Sequence, residues 1–270
     1  SVPLAALALV LAIRLVPDSR SSIPPSWDAA SILLSIIALG AVAFAVHEAL
    51  ASPVLAVVVA LVAAVSLTAF VFRQRRLREP LIDMALFSAR GFSPAIARII
   101  VSSGASSAAV LLVSLQLQDA MGKSAAEAGF VLLPQAIAIA VGGVVAPLAL
   151  RWIRAGRLTV IALLVQAAGL AWLCFDLGLV AVPLVLVGIG YGITGTLAAA
   201  ALFEATTEDQ AGQVGAVQEV GFALGGGMGM AVFGTLAAVF VVGGFVIAII
   251  AASVVVAAAA VLPLVRSRRG

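Results

Sequence analysis

The chain has 270 residues, of which 64% are hydrophobic and only 10% are charged, and its mean hydropathy is +1.26. A soluble domain carries about a quarter charged residues, so this composition excludes a protein that faces water on all sides. The pI near 10.0 does not indicate a nucleic-acid partner, because the basic residues are almost all arginines beside apolar runs, as membrane orientation requires.

Apolar runs follow one another along the whole chain and are of the length that crosses a hydrocarbon core about 30 Å thick. They lack the alternating pattern of barrel strands, so we predict transmembrane helices throughout. The first run is too short to be complete and no signal peptide precedes it, so we expect a fragment whose upstream helices are missing. The nine predicted spans cover residues 2–16, 28–46, 53–72, 92–115, 127–150, 158–175, 180–203, 213–235 and 243–265.

The basic residues predict the orientation of these spans. If the first span runs from outside to inside, the inner loops hold thirteen of the fifteen basic residues, while Lys123 lies outside and Arg98 lies within a span. Cytoplasmic loops are enriched in arginine and lysine, so we expect this orientation and a cytoplasmic C-terminus. The inner residues are Arg14, Arg20, Arg73, Arg75, Arg76, Arg78, Arg90, Arg151, Arg154, Arg157, Arg266, Arg268 and Arg269.

Two polar segments separate spans on the inner side. Residues 17–27 form a proline-rich loop, and residues 73–91 form the longest polar stretch and the best internal boundary. The second segment is either a solvated loop or a short amphipathic helix that lies in the membrane interface and joins two bundles. Its apolar positions are Leu77, Leu81, Ile82, Met84, Leu86 and Phe87.

Glu219 is the strongest candidate for function. It stands about seven residues, roughly 10 Å, into the eighth span, where an ionised carboxylate is costly unless it faces a water-filled cavity. Gly221, Gly225 and Gly229 recur every four residues and predict a ridge on which a neighbouring helix packs. The helical wheel turns Glu219 about 80–160° away from this ridge. The alternative is a solvated or capping carboxylate near the inner interface. The face of Glu219 also holds Ala216, Phe222, Ala223, Gly226, Met230 and Phe233.

A second glycine-rich stretch surrounds Tyr191, which either touches substrate or packs as an ordinary aromatic side chain. Residues 190–195 satisfy the G-x-G-x-x-G pattern, but a dinucleotide site needs a preceding strand and a helix start at the phosphate. This match lies inside an apolar span, so we interpret its glycines as close helix packing. Cys174 is the single cysteine, which excludes an internal disulfide and gives no support to a thiol metal site.

Four stretches resemble the fourteen-span drug:proton antiporters of the major facilitator superfamily. VPLAALALVLAIRLVPDS at 2–19 resembles the sixth span of that family, and EPLIDMALF at 79–87 the segment before its ninth. LQLQDAMGKSAAEAGFVLLP at 115–134 is similar to the hairpin between its ninth and tenth spans. AGQVGAVQEVGFALGGGMGMAVFGTL at 211–236 is similar to its thirteenth span, above all in the branch that exports quaternary ammonium and other lipophilic cations.

The resemblance implies an all-α membrane protein of the major facilitator fold, with about nine helices present. Residues 1–16 would be the last helix of the N-terminal bundle, 17–72 the two extra central helices, 73–91 a cytoplasmic amphipathic linker and 92–270 the six-helix C-terminal bundle. The chain departs from the family pattern at Leu150, where an Asp often stands, and in a very short loop between the last two spans.

The resemblance also suggests residues that line a substrate cavity. Gln116 and Gln118 match a polar pair of the family, although both are equally compatible with a position at the interface. Gln218 and Ala223 replace acidic residues of the family pattern, which argues against a divalent-cation substrate. The substrate-cavity candidates are Gln116, Gln118, Tyr191, Gln218, Phe222 and Met230.

We therefore expect a multi-pass exporter in the cytoplasmic membrane that couples efflux of lipophilic, cationic drugs or antiseptics to protons, which Glu219 would carry. Its partners would be these small molecules, protons, the lipid bilayer and a missing N-terminal bundle, in the same chain or a partner chain. We expect no nucleic acid, cofactor or metal. The alternatives are an inactive or accessory half-transporter and an intramembrane enzyme, which His47, the only histidine, does not support.

Overall fold

A computed structural model describes residues 9–10, 14, 28–48, 52–175, 179–240 and 243–267. Nearly all of the predicted span 2–16, the loop 17–27 and the side chains of His47 and the C-terminal arginines lie outside this description. Within it the chain is helical and has no β-strand. The prediction of an all-α membrane protein is therefore confirmed for the described part of the chain.

Eight long helices follow the predicted spans closely, and each is long and apolar enough to cross a membrane. The agreement arises because apolar length is the property that a span requires. The helices are α1 (Ala29–Glu48), α2 (Pro53–Gln74), α3 (Phe92–Leu115), α4 (Ala125–Ala149), α5 (Ala155–Trp172), α6 (Ala181–Glu204), α7 (Ala211–Val239) and α8 (Gly244–Ser267).

The helices pack in two groups. Helices α1 and α2 pack mainly against each other as a hairpin, and α1 also contacts α7. In the second group, α6 packs against α3, α4 and α5, while α8 contacts α3, α5 and α7. The most extensive contacts in this group join α4 to α6 and α3 to α7.

Glycine contacts show which helices run in the same direction. Gly221 and Gly229 of α7 lie against Ile99 and Gly104 of α3, so these two helices run parallel. Glycines of α6 at 188 and 192 lie against Gln135 and Ile139 of α4, so α4 and α6 also run parallel. As a result, segment 75–91 and the loops 150–154 and 205–210 lie at the same end of the bundle.

The glycines of α6 serve close helix packing. A β-carbon built at Gly190 would lie 2.5 Å from the carbonyl oxygen of Ala162 on α5, and one at Gly192 would lie 2.2 Å from that of Ile139 on α4. Both contacts are far too short for a side chain. The interpretation of residues 190–195 as a packing surface rather than a nucleotide loop is confirmed.

The segment between α2 and α3, for which the sequence allowed either a solvated loop or an interfacial helix, contains one short helix. A short 3-10 helix spans Met84–Ser88 and begins at Asp83, whose carboxylate accepts a hydrogen bond from the Ala85 N–H. Leu86 is buried in a core cluster with Phe92, at the start of α3. The segment therefore packs one apolar side chain, that of Leu86, into the end of the helix bundle, while its arginines and also Leu81 and Phe87 are exposed.

The outer surface of the helices is strongly apolar, as expected for a surface in lipid. Large hydrophobic side chains are exposed on both helix groups, and a water-facing surface would not carry so many. Among the most exposed within the helices are Val54, Val65, Phe130, Ile137 and Val144.

Candidate functional site

The predicted glycine ridge of α7 lies against α3. A β-carbon at Gly225 would be 2.1 Å from the Ser103 Oγ, and one at Gly229 would be 2.1 Å from the Gly104 carbonyl oxygen. Gly221 is less tightly enclosed, because a β-carbon there would lie 3.3 Å from a methyl group of Ile99. The two helix backbones therefore approach so closely that only glycine fits at the two later positions.

The opposite side of α7 is open. Ala216, Glu219, Ala223, Gly227 and Met230 recur every three or four residues and are all exposed. The carboxylate of Glu219 is therefore exposed in the described part of the chain. The physical reason is that the ridge fixes the rotation of α7, which turns this stripe away from the helices described here.

Two of the predicted cavity residues meet between α6 and α7. The rings of Tyr191 and Phe222 form an edge-to-face pair with 6.2 Å between their centroids. A β-carbon at Gly195 would lie 3.6 Å from the Phe222 ring, so the glycine leaves room for it. Because Glu219 stands one turn before Phe222, the carboxylate and the aromatic pair are neighbours along one segment of α7.

Two polar atoms near this pair lack a protein partner. The side-chain oxygen of Gln218 and the hydroxyl oxygen of Thr194 are buried and accept or donate no hydrogen bond among the described residues. A buried polar group without a partner costs about 1–3 kcal/mol, so such atoms favour a water molecule or a polar ligand group. Within the described part of the chain, no group of three His, Cys, Asp or Glu side chains is placed to hold a metal ion.

The structure does not bring Gln116 and Gln118 to this place. A π-helical turn at Gln116–Ala120 extends α3 at its far end. Gln116 lines a separate cavity of about 510 Å³, and the Gln118 amide donates back to Ser114 of its own helix. Ala237 of α7 lines the same cavity, and it lies eighteen residues after Glu219, about 27 Å along the helix.

Sequence reasoning missed two buried glutamines at the centre of the bundle. Gln166 of α5 accepts a 2.6 Å hydrogen bond from the Ser102 hydroxyl and donates to the Ser102 carbonyl at 2.9 Å. Gln135 of α4 donates to the Ser106 Oγ at 2.9 Å. Gln166 and Gln135 thus join α5 and α4, respectively, to α3 by side-chain hydrogen bonds. The sequence did contain a signal for these contacts. The spans of Gln135 and Gln166 each hold one glutamine among apolar residues, and span 92–115 holds the serine pairs 102–103 and 106–107.

Comparison with known proteins shows what this chain is similar to. No protein-family model matches the chain. Multidrug efflux pump LfrA of Mycolicibacterium smegmatis is 28% identical over 249 residues, which cover 89% of this chain and 49% of the pump. Multidrug resistance protein Stp of Mycobacterium tuberculosis is 30% identical over 248 residues, which cover 88% of this chain and 46% of that protein.

The methylenomycin A resistance protein of Streptomyces coelicolor is 28% identical over 246 residues, which cover 87% of this chain and 51% of that protein. The chain spans about half the length of the curated relatives it matches. These relatives agree with the eight apolar helices, and they confirm the resemblance to drug exporters found in the sequence. The chain is thus similar to part of several bacterial multidrug efflux pumps and antibiotic-resistance proteins.

Proposed function

We propose that this chain is the C-terminal part of an exporter that moves lipophilic, cationic compounds out of the cell in exchange for protons. The observation that carries the proposal is the position of Glu219, a carboxylate inside a membrane span, on the open stripe of α7 and one turn from the Tyr191–Phe222 pair. Ionisable residues at such depth are costly to keep unless they serve transport.

The side chains on and beside the open stripe of α7 suit a lipophilic cation. An aromatic face attracts a positive charge, and the flexible, polarisable side chain of Met230 adapts to ligands of different shape. A carboxylate can hold either a proton or the cation, so the two would compete for Glu219. Competition for one charge is the simplest basis for exchanging a proton for a drug as two bundles rock about a central site.

The open stripe of α7 supports a further part of the proposal. Helices α3–α8 would form the C-terminal six-helix bundle of a major facilitator fold, and α1–α2 the two extra central helices. A second bundle, from the same protein or a partner chain, would cover the stripe and enclose Glu219. This accounts for a carboxylate that is exposed in the described chain although it lies inside a span.

The charge distribution supports the proposed orientation. Segment 75–91 and the loop 150–154 lie at one end of the helices and carry many of the arginines, which favours the cytoplasmic side for that end. The protein would then be a multi-pass protein of the cytoplasmic membrane with its C-terminus inside.

The proposal is tested by Glu219→Gln in a full-length exporter that contains this chain. The change keeps the side-chain volume but removes the titration, so proton-driven efflux of a cationic dye should be lost while membrane abundance stays unchanged. Glu219→Asp should retain part of the efflux, with a shifted pH optimum.

Glu204→Gln is the matched control, because Glu204 is an exposed carboxylate at the end of α6 and should be dispensable. Normal, proton-dependent efflux in Glu219→Gln would assign this carboxylate a structural role and would place the coupling residue elsewhere.

A further inference from the structure

The turn formed by residues 80–83 is held by glutamine side chains from two different helices. The Ile82 N–H donates to the Oε1 of Gln74, at the end of α2, with a length of 3.2 Å. The next N–H, of Asp83, donates to the Oε1 of Gln213, in the first turn of α7, at 2.8 Å. Two successive backbone groups of one turn are therefore bound to two helices that are far apart in sequence.

On one side, Gln74 connects the turn to the α1–α2 hairpin. Its side chain is 2% exposed, and its amide donates to the Ser31 hydroxyl of α1 at 2.7 Å. Beside it, Arg73 forms an ion pair with Asp28 at 2.8 Å. Hydrogen bonds from Arg73 and Ser31 hold the pKa of the Asp28 carboxyl well below its usual range, so this pair stays charged at neutral pH.

On the other side, Gln213 connects the turn to α7. In addition to accepting from Asp83, its amide donates to the Pro80 carbonyl at 3.4 Å. Gln210 donates to the Asp83 carboxylate at the same length. Gln213 thus binds both ends of the turn, and it stands six residues before Glu219 in the same helix.

We propose that Gln74 and Gln213 form a latch through which the α1–α2 hairpin positions the end of α7 that carries Glu219. The turn cannot move relative to either helix without breaking a hydrogen bond to its own backbone, so a displacement of the hairpin is transmitted to α7. Both glutamines are positioning residues. The inference rests on the proposed function only for the role of Glu219, because the coupling between the helices is independent of transport.

The test is amide hydrogen exchange of the purified 270-residue chain in lipid nanodiscs. Methionine has nearly the shape of glutamine but cannot form these hydrogen bonds, so Gln74→Met and Gln213→Met remove the latch and preserve packing. Gln74→Met should accelerate exchange at residues 215–219 of α7, to which Gln74 makes no hydrogen bond. Gln213→Met should accelerate exchange at residues 32–35 of α1. We expect about fivefold in each case, the factor that one hydrogen bond of ordinary net strength contributes.

Ser93→Ala is the control. Ser93, at the start of α3, donates to the Phe87 carbonyl of the same connection, and its loss should change exchange in neither α1 nor α7. Acceleration confined to residues 77–90 in both methionine variants would overturn the latch. Normal dye efflux in Glu219→Gln would overturn the proposed function but would leave these exchange rates unchanged, so the two proposals fail separately.

Discussion

Replacing Gly229 by alanine should force α7 away from α3. The new methyl group would stand 2.1 Å from the carbonyl oxygen and 2.4 Å from the carbonyl carbon and Cα of Gly104. Ordinary contacts between such atoms are about 3.5–4.0 Å long. All three neighbours are backbone atoms, so no side chain can rotate aside, and the helices must separate by about 1 Å or more.

Two opposing contributions set the change that Gly229→Ala makes in the free energy of unfolding. Alanine stabilises a helix interior by about 0.8–1.0 kcal/mol relative to glycine. Overpacking a close contact costs about 1–3 kcal/mol, and a clash with three backbone atoms belongs at the upper end of that range. The net effect on the free energy of unfolding should be a loss of about 2 kcal/mol, which corresponds to a melting temperature lower by about 4–8 °C.

Gly227 provides a matched control on the same helix. Among the described residues, nothing lies within 4 Å of a β-carbon built there, so Gly227→Ala should show only the gain in helix propensity. Thermal unfolding can be followed with a thiol-reactive dye, because Cys174 is a free, partly buried cysteine. The close α3–α7 contact would be refuted if the two alanine variants melted at the same temperature, or if Gly229→Ala melted above the parent chain.

Three other predictions follow from the hydrogen bonds and the charges. Gln166→Ala leaves the buried Ser102 hydroxyl without its hydrogen-bond partner and should lower the free energy of unfolding by about 2–4 kcal/mol. Gln166→Leu combined with Ser102→Ala should be nearly neutral, and a double-mutant cycle of thermal unfolding measures both effects. The folded pKa of Asp28 lies below its unfolded value, so its ion pair with Arg73 stabilises the fold fully above about pH 4, and this stabilisation is lost only as the pH falls further. The melting temperature of Asp28→Asn should therefore be lower than that of the parent at pH 7 and approach it only in strong acid. In a cysteine-free background, a cysteine at Ser88 should react with an impermeant maleimide only from inside and one at Ser52 only from outside, and the reverse pattern would disprove the orientation.

Much of the architecture could be predicted because lipid restricts it. A span must be long, apolar and internally hydrogen bonded, so the predicted limits 92–115 coincide with α3, and those of the other described helices differ by a few residues. The segment 73–91 is the exception. Its sequence allowed either a solvated loop or an interfacial helix, and the structure has a short 3-10 helix that begins at Asp83, with Leu86 buried in a protein core.

The candidate site shows where local patterns stop being sufficient. A four-residue glycine repeat predicts that α7 packs closely against another helix, yet it does not say which helix, and only the tertiary structure assigns α3. That contact sets the rotation of α7 and leaves Glu219 exposed. The pairing of Tyr191 with Phe222, and of Gln166 with Ser102, joins residues 31 and 64 positions apart. Composition and periodicity thus determined that the chain spans a membrane as helices, because those properties are local. The packing of the helices decided which polar side chains meet, because that depends on contacts between segments distant in sequence.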